Sequence, residues 1–443
     1  MLAILANRTY RYLFAAQVIA LLGTGLMTVG LALLAYELAG ANAGAVLGTA
    51  LAIKMIAYVG IAPIAGGFAA KLPRRALLVA LDLVRAAVAL ALPFVDQVWQ
   101  VFVLIALLQS ASAAFTPTFQ ATIPDILTEE EDYTRALSLS RLAYDLENIV
   151  SPVLAAALVT LVGFHWLFGG TVIGFVVSAA LVLSVALPLA KGRAQAESAW
   201  TRTTRGIRFY LATPRLRGLL ALNLVVAAAG AMVIVNTVVV VRSLLGLSDA
   251  ATAIAFAAFG AGSMVAALAT PRLLGKVGDR VVMVRAAFAM PVLLIASAAM
   301  VAAFSKSALW PALLVMWALL GLSSSAVQVP TGRLLRRSAH DEDRPAIFAA
   351  QFALSHACWL ITYPLAGWLG GSVSMAATLA VLALVAAIGA VAAARIWPKG
   401  DPEIVMHEHP ELPPDHPHLA GAKRHAHAYI IDDLHAHWPV MGR

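Results

Sequence analysis

Residues 191–217 read KGRAQAESAWTRTTRGIRFYLATPRLR and form the longest polar interruption in the apolar part of this chain. On each side of them lie six apolar segments of about 20 residues, the length that a helix needs to cross a bilayer core of about 30 Å. The predicted spans are 12–37, 44–69, 75–95, 98–120, 137–162, 165–189, 217–241, 249–274, 280–304, 307–331, 345–369 and 372–396. We therefore expect an all-α membrane protein with twelve transmembrane helices in two pseudo-symmetric six-helix halves, residues 1–190 and 217–396. A cytoplasmic central loop, 191–216, joins the halves, and a cytoplasmic tail, 397–443, follows them.

The composition agrees with a protein whose main solvent is lipid. Hydrophobic residues make up 61% of the chain and charged residues 12%, against roughly 25% charged in soluble domains. The net charge of +8 comes from basic residues in short connections between spans, and this dispersed pattern argues against a nucleic-acid partner. Cys358 is the single cysteine, so no intrachain disulfide forms. The sequence contains no phosphate-binding loop of the G-x-x-x-x-G-K-S/T type, so we expect neither ATP binding at such a loop nor enzyme activity.

The distribution of Lys and Arg predicts the orientation. If the N-terminus lies in the cytoplasm, the outer connections contain only Arg242 and Lys306, and the other connecting Lys and Arg residues face the cytoplasm. Short cytoplasmic loops are enriched in these residues, so both termini are expected inside.

The two halves repeat one another. Residues 11–17 (RYLFAAQ) match residues 217–223 (RGLLALN) at an offset of 206, and the loop after span two matches the loop after span eight at an offset of 205. Paired halves of this kind are typical of secondary transporters, which hold the substrate between them near the middle of the membrane.

Eight of the eleven histidines lie in the tail as four H-x-H pairs. Side chains at i and i+2 of an extended chain point to the same side, so each pair can offer two nitrogens to one ion, with Glu408, Asp415, Asp432 or Asp433 as further ligands. The predicted ligands for Ni²⁺, Co²⁺ or Zn²⁺ are His407, His409, His416, His418, His425, His427, His435 and His437. Prolines in the first part predict an extended, solvated tail without a core of its own, and the alternative is a tail whose histidines bind nothing. The transporter itself requires no cofactor.

Two stretches resemble the major facilitator superfamily. The loop Gly66-Gly-Phe-Ala-Ala-Lys-Leu-Pro-Arg-Arg75 resembles the family's G-x-x-x-D-R/K-x-G-R-R signature between helices two and three, and residues 271–280 resemble its degenerate second copy. In that family the acid and the arginines of the loop clasp neighbouring helices at the cytoplasmic gate. The resemblance implies a gating loop formed by Gly66, Lys71, Arg74 and Arg75. Ala70 stands where the family has Asp, so we expect the usual ion pair from that position to be missing.

Residues 124–152, which end in Ser151-Pro152, resemble the fourth loop and fifth helix of the drug:proton antiporter branch of that family. With its His-rich tail, the chain resembles the nickel-resistance exporters of bacteria. The resemblance implies a monomeric, multi-pass protein of the bacterial cytoplasmic (inner) membrane. Its expected activity is proton-coupled efflux of a divalent metal, nickel foremost and otherwise cobalt or zinc, by alternating access.

Charged residues inside the spans are candidates for coupling because each costs about 2.5–3.5 kcal/mol to insert. Asp82 and Arg85 lie three residues apart on one helix face, which predicts an internal ion pair. Arg141 precedes Asp145 by one turn and can neutralise it. Glu147 is therefore the leading candidate for carrying a proton or cation, ahead of Asp145 and Asp82. The alternatives are an ion pair between Glu147 and Lys54 or a helix-end residue that faces the cytoplasm.

Uncharged polar residues in the spans are candidates for lining the central cavity. They are Gln17, Gln109, Asn148, Asn223, Asn236, Gln328, Gln351 and His356. The His356 imidazole is a ligand type for Ni²⁺, Co²⁺ and Zn²⁺, although a single buried histidine also serves as a packing residue. Lys54 argues for a different substrate, since a fixed positive charge repels a cation.

Two other functions are compatible with the sequence. One is a drug or siderophore exporter of the same fold whose tail is regulatory. The other is a membrane-anchored metal buffer or sensor that transports nothing.

Overall fold

The computed structural model describes residues 2–69, 72–187, 199–274, 276–340, 343–401, 404–408, 424–432, 434–435 and 437–438. Within these residues the chain forms fourteen α-helices and one two-stranded sheet. The helices are α1 (Arg8–Ala39), α2 (Ala43–Ala69), α3 (Arg74–Ala91), α4 (Val98–Ile126), α5 (Glu130–Val162), α6 (His165–Leu183), α7 (Ala199–Ala212), α8 (Pro214–Val238), α9 (Asp249–Leu274), α10 (Asp279–Ala303), α11 (Lys306–Gln328), α12 (Thr331–Arg337), α13 (Arg344–Ser372) and α14 (Met375–Ile396). The strands are β1 (Ile404–Glu408) and β2 (Arg424–Ala428).

The twelve predicted spans correspond to α1–α6, α8–α11, α13 and α14, so the predicted fold class is confirmed. In the described residues, ten stretches are long and apolar enough to cross a membrane, and the first of them runs from α1 into α2. In the described residues of α5, Val153–Val162 forms a shorter apolar stretch. Large side chains such as Leu161 and Val292 are mostly exposed on the helix surfaces, as expected for groups that face lipid.

Two connections differ in detail from the sequence-based expectation. The central segment contains a helix, α7, which packs closely on α13: a Cβ at Gly206 would lie 2.1 Å from the carbonyl oxygen of Ala346. Span ten ends early, at Gln328, and a turn at Pro330 leads into the short α12. Proline lacks the N–H that a continuous helix requires, which accounts for the break.

The two halves meet along α2 and α13 and along α5 and α9. Near the outer ends of α2 and α13 the backbones touch, since a Cβ at Gly367 would lie 2.3 Å from the carbonyl oxygen of Gly44. Small residues permit such close approach between transmembrane helices. On the same side, the Arg242 guanidinium of the second half lies 5.2 Å from the ring centre of Tyr36 of the first. These contacts join the halves on the predicted outer side.

The tail is not simply extended and solvated. Strands β1 and β2 pair antiparallel with His407 opposite His425 and Val405 opposite His427. Val405, Tyr429 and Ile431 are buried in the same hydrophobic cluster as the transmembrane helices. The prediction that the first part of the tail is solvated and without a core was therefore wrong for β1, because it considered only proline content and not the apolar residues that β-pairing places on one face.

Candidate metal centre and intramembrane site

The hairpin of β1 and β2 places histidines on its protected face. Strand residues alternate between two faces, and those of β1 alternate between exposed and buried along Ile404–Glu408. Val405 and His407 are buried, whereas Ile404, Met406 and Glu408 are exposed. His425 and His427 lie opposite this buried pair and are half-buried. Because strand residues alternate between the two faces, the imidazoles lie together between the strands and the segment that follows β2.

Three histidines from three different H-x-H pairs form one cluster. Ring nitrogens of His407, His427 and His435 all lie within 4.8 Å of one another. His407 and His435 are buried, and their Nε2 atoms are 3.2 Å apart. His407 belongs to β1, His427 to β2 and His435 to the segment after β2, so the cluster exists only when all three segments are folded together.

Hydrogen bonds determine which nitrogen of each buried ring faces the cluster. His407 Nδ1 lies 2.9 Å from the carbonyl oxygen of Val405, which can only accept, so this nitrogen carries a proton and donates. His435 Nδ1 lies 2.9 Å from Asp432 Oδ1 and donates to the carboxylate. In the neutral rings both Nε2 atoms are then unprotonated and face each other without a proton between them. Two lone pairs that face each other repel, and the arrangement becomes favourable when a cation lies between them.

This arrangement fits a transition-metal ion. Imidazole nitrogens bind Zn²⁺ at about 2.0–2.1 Å, and two nitrogens bound to one ion at about 100° are about 3.2 Å apart. Metal-bound histidines commonly donate their second N–H to a carboxylate or a backbone carbonyl, as His435 and His407 do here. Three imidazoles suit Ni²⁺, Co²⁺ and Zn²⁺ alike, so the ligand set does not select one metal.

Electrostatics favour the neutral form of His407 and the ionised form of Asp432. Burial, followed by the neighbouring imidazoles of His427, His435 and His425, lowers the pKa of His407 and favours the neutral ring that binds metal. For Asp432, burial alone would raise the pKa. Hydrogen bonds from the side chain and backbone of His435 and from the backbone of Leu434 outweigh burial and lower that pKa to about 2.

The other tail histidines have different positions. The His425 ring centre lies 4.7 Å from that of His407, at the edge of the cluster. His437 is exposed, and its carbonyl oxygen accepts a hydrogen bond of 2.8 Å from Tyr429 Oη. His409, His416 and His418 lie outside the described residues.

The hairpin is docked on the second half of the protein. Arg215, the second residue of α8, donates from Nη2 to the carbonyl oxygen of Tyr429 at 3.4 Å, and its guanidinium lies 5.1 Å from the ring centre of Trp438. Asp401, at the start of the tail, forms an ion pair with Arg337 of α12. His340, between α12 and α13, lies with its Nε2 3.3 Å from Asp432 Oδ2. These contacts hold the cluster on the side of the membrane that was predicted to be cytoplasmic.

Inside the membrane, Glu147 of α5 and Lys54 of α2 interact electrostatically and are both partly buried. Glycine at position 25 of α1 makes room for this part of α5, since a Cβ there would lie 2.2 Å from the Ser151 side chain and 3.4 Å from Glu147 Cγ. Glu147 thus faces the inside of the first half. The leading coupling candidate and the residue proposed as its structural partner are therefore close to each other.

An aromatic wall from both halves adjoins Lys54. The Lys54 ammonium lies 5.9 Å from the ring centre of Tyr58, whose ring stacks on His356 of α13 at 5.5 Å. Phe352 lies 5.8 Å from Tyr58 and 3.9 Å from His356, ring centre to ring centre. His356 Nδ1 donates to the carbonyl oxygen of Phe352 at 2.7 Å, so Nε2 is its remaining ligand atom. Sequence reasoning missed Tyr58, because the contact depends on packing between halves.

Of the other charged candidates, Asp82 lies in a buried structural network. It forms the expected ion pair with Arg85, and Ser178 Oγ donates to it at 2.8 Å. The Arg85 guanidinium lies 4.0 Å from the ring centre of Phe115 and 4.5 Å from that of Phe175. The Asp82 carboxylate is therefore engaged in contacts within the first half. The side chains of Asp145 and Asn148 lie outside the description.

The uncharged cavity candidates are dispersed. Gln17 accepts a hydrogen bond from Ser140, and Gln351 accepts one from Tyr210 of α7 at 2.5 Å. Asn223 and Asn236 donate to the backbone carbonyls of Leu219 and Ala366, and Asn236 is fully buried between Gly44 and Gly370. Gln109 is buried in α4, and Gln328 is exposed at the end of α11. Among the members of this set whose side chains are described, His356 is the one that the structure brings next to Lys54 and Glu147.

Among its described residues, the predicted gating loop makes one ion pair and one hydrogen bond to a backbone carbonyl. Arg74 pairs with Asp125 near the end of α4, and Arg75 donates to the carbonyl oxygen of Leu183 at the end of α6. Lys71 lies outside the described residues, and Gly66 lies within α2.

In the second half, Asp279 pairs with Arg333, and Arg280 donates to the carbonyl oxygens of Trp397 and Ala394 at 2.9 and 2.8 Å. The sequence did not lead to Asp125 as the partner of Arg74. An acidic residue near the end of a helix is nevertheless a signal that could have identified it.

Comparison with known proteins identifies the family and supports the fold. The model of the Major Facilitator Superfamily matches residues 13–299 and 220–427. Among solved structures, the nucleoside transporter NupG aligns with a TM-score of 0.63 at 15% identity, over 87% of this chain and 98% of that one. A D-xylose-proton symporter aligns with a TM-score of 0.62 at 14% identity, over 90% and 97%. A POT family transporter in complex with 5-aminolevulinic acid gives 0.66 at 12% identity, over 89% and 96%. At these identities the structures show a shared fold, and no curated protein matches the sequence.

Proposed function

This chain belongs to the major facilitator superfamily, and from that premise we propose that it exports divalent transition-metal ions from the cytoplasm in exchange for protons. Nickel is the leading substrate, with cobalt and zinc as alternatives. The observation that carries the proposal is the cluster of His407, His427 and His435, whose nitrogens lie within 4.8 Å of one another on a docked tail. The cluster is a set of ligands for transition metals, and it lies on the predicted cytoplasmic face, where a substrate for export would enter. This combination favours a metal ion as the substrate.

The position of this cluster supports export as the direction of transport. A site on the cytoplasmic side collects ions before transport and raises their local concentration at the transporter, which serves efflux. The positive-inside distribution of basic residues supports that orientation.

Glu147 is proposed as the group that couples protons to transport. A carboxylate inside the membrane that interacts electrostatically with Lys54 can take two forms: ionised, with the ammonium as its counter-charge, or protonated and neutral. Alternating access exposes such a group to each side of the membrane in turn. Binding of a proton on the outer side and its release on the inner side then drive export of the cation.

A second candidate function is export of an organic molecule. Lys54 and the aromatic side chains of Tyr58 and Phe352 lie together at the interface between the halves. A fixed ammonium repels a metal ion when Glu147 is protonated, whereas an aromatic wall with one positive charge suits an organic anion. In this case the tail regulates transport instead of supplying the substrate.

Metal accumulation separates the candidates. Cells that produce the protein and cells that do not are exposed to Ni²⁺, and their metal content is measured. Export lowers the content, a metal buffer raises it, and organic export leaves it unchanged.

Everted membrane vesicles with an acid interior then test coupling. Radiolabelled Ni²⁺ is expected to accumulate inside them, to leave when the pH gradient is dissipated, and not to accumulate with Glu147→Gln. Equal accumulation with and without the gradient contradicts proton exchange.

A further inference from the structure

The metal cluster of the tail is connected to the transmembrane body through one carboxylate. Asp432 Oδ1 accepts from His435 Nδ1 at 2.9 Å and from the His435 backbone N–H at 2.7 Å. Its other oxygen, Oδ2, lies 3.3 Å from Nε2 of His340 in the connection between α12 and α13. The same side chain therefore orients a metal ligand and binds the body of the protein.

The remaining docking contacts lie around this connection. Arg215 holds the carbonyl oxygen of Tyr429, two residues after His427, and Arg337 holds Asp401 where the tail begins. Asp401 has a φ of 29°, a left-handed value that residues other than glycine rarely adopt and that persists where the surroundings enforce it. The tail thus leaves α14 through an enforced turn and is held at several points along its length.

The three ligands are not preassembled within any single segment. Residues 407, 427 and 435 come from β1, β2 and the segment after β2, and burial of Val405, Tyr429 and Ile431 against the helices positions all three segments. Undocking would remove the contacts of these segments with the helices and of Asp432 with His340, and so would weaken the arrangement that holds His435 beside His407 and His427. Metal binding and docking consequently favour the same conformation.

We propose that metal binding at His407, His427 and His435 and docking of the tail on the second half are thermodynamically coupled through Asp432 and His340. The tail is then a metal-dependent latch: when loaded it is held beside α12 and α13, and when empty it is released more readily. By thermodynamic linkage, the factor by which docking increases the affinity for metal equals the factor by which bound metal increases the equilibrium constant for docking. This inference rests on the metal binding used in the proposed function but not on transport.

The test uses the full-length protein in detergent with Ni²⁺ alone as the probe. His340→Ala removes a contact to Asp432 without touching a metal ligand, and His340→Gln keeps a donor at that position. Arg336→Ala, an exposed residue of α12, is the matched control. The affinity for Ni²⁺ is measured by calorimetry, and amide hydrogen exchange of residues 424–432 is measured with and without the ion.

We expect Ni²⁺ to slow exchange of residues 424–432 in the native protein and in Arg336→Ala. His340→Ala should weaken Ni²⁺ binding about five- to tenfold, within the usual range of coupling between sites. It should also reduce the Ni²⁺-dependent protection, and His340→Gln should restore part of both effects. Exchange of the transmembrane helices verifies that the variants are folded.

Two results would overturn the coupling. One is native Ni²⁺ affinity in both His340 variants, and the other is Ni²⁺ binding that leaves exchange of residues 424–432 unchanged in the native protein. Neither bears on transport, so an intact latch with no Ni²⁺ movement in vesicles would instead refute the proposed function.

Discussion

Arg74 and Asp279 occupy equivalent positions in the two halves, as the first residues of α3 and α10, and carry opposite charges in equivalent ion pairs. Arg74 pairs with Asp125 at the end of α4, and Asp279 pairs with Arg333 just after α11. Both halves thus have an ion pair at this position, with the charges on opposite partners. What the position requires is therefore a bond between neighbouring helices and not a particular sign of charge.

Exchange of the charges of the first pair tests this requirement. Arg74→Asp places two carboxylates together and should lower the apparent melting temperature in detergent by several degrees and slow transport. The combination of Arg74→Asp with Asp125→Arg restores an attractive pair and should recover most of both losses, because both side chains are largely buried and weakly screened. A double variant no better than the single one would contradict the interpretation.

The close contact of α2 and α13 should not tolerate a methyl group. A Cβ at Gly367 would lie 2.3 Å from the carbonyl oxygen of Gly44, so Gly367→Ala must separate the helices. Overpacking of this kind costs about 1–3 kcal/mol, and we expect a lower melting temperature and slower transport. Gly60→Ala in α2 is the control, since a Cβ there meets no described atom within 4 Å. If both variants behave alike, the contact is not required.

Glu147 and Lys54 should show non-additive effects on stability. Glu147→Gln leaves the Lys54 ammonium without its counter-charge inside the membrane, whereas a double variant with Lys54→Met removes both charges. We expect the single variant to be less stable than the double one, with a coupling of about 0.5–3 kcal/mol in a double-mutant cycle measured by thermal unfolding. Strictly additive effects would show that the two groups do not interact.

The three-histidine cluster should dominate binding of Ni²⁺ by the described part of the tail. His407→Ala removes a buried ligand and is expected to weaken binding by full-length protein at least about tenfold, since even partners behind the ligands contribute about 10- to 100-fold. His437→Ala alters an exposed imidazole of the same segment and should leave the affinity nearly unchanged. Calorimetry with Ni²⁺ measures both. Equal losses would indicate binding by dispersed histidines without a defined site.

Local sequence patterns were sufficient for the spans and for short-range pairs. The hydrophobic effect acts on each segment by itself, so apolar length predicted the twelve helices in order. Asp82 and Arg85 could be paired because three residues along one helix determine their relative direction. Strand pairing of the tail was not predicted, since β1 and β2 are separated by 15 residues and their register depends on which face is buried.

The sequence by itself determined that this chain crosses the membrane in two repeated halves and that its tail is rich in metal ligands. These properties follow from composition and periodicity, which act over one helix or one pair of residues. Only the tertiary structure decided that His407, His427 and His435 share one site, that Asp432 joins it to His340, and that Glu147 lies beside Lys54. Such contacts join residues far apart in the chain, and their free energy depends on how whole helices and strands pack together.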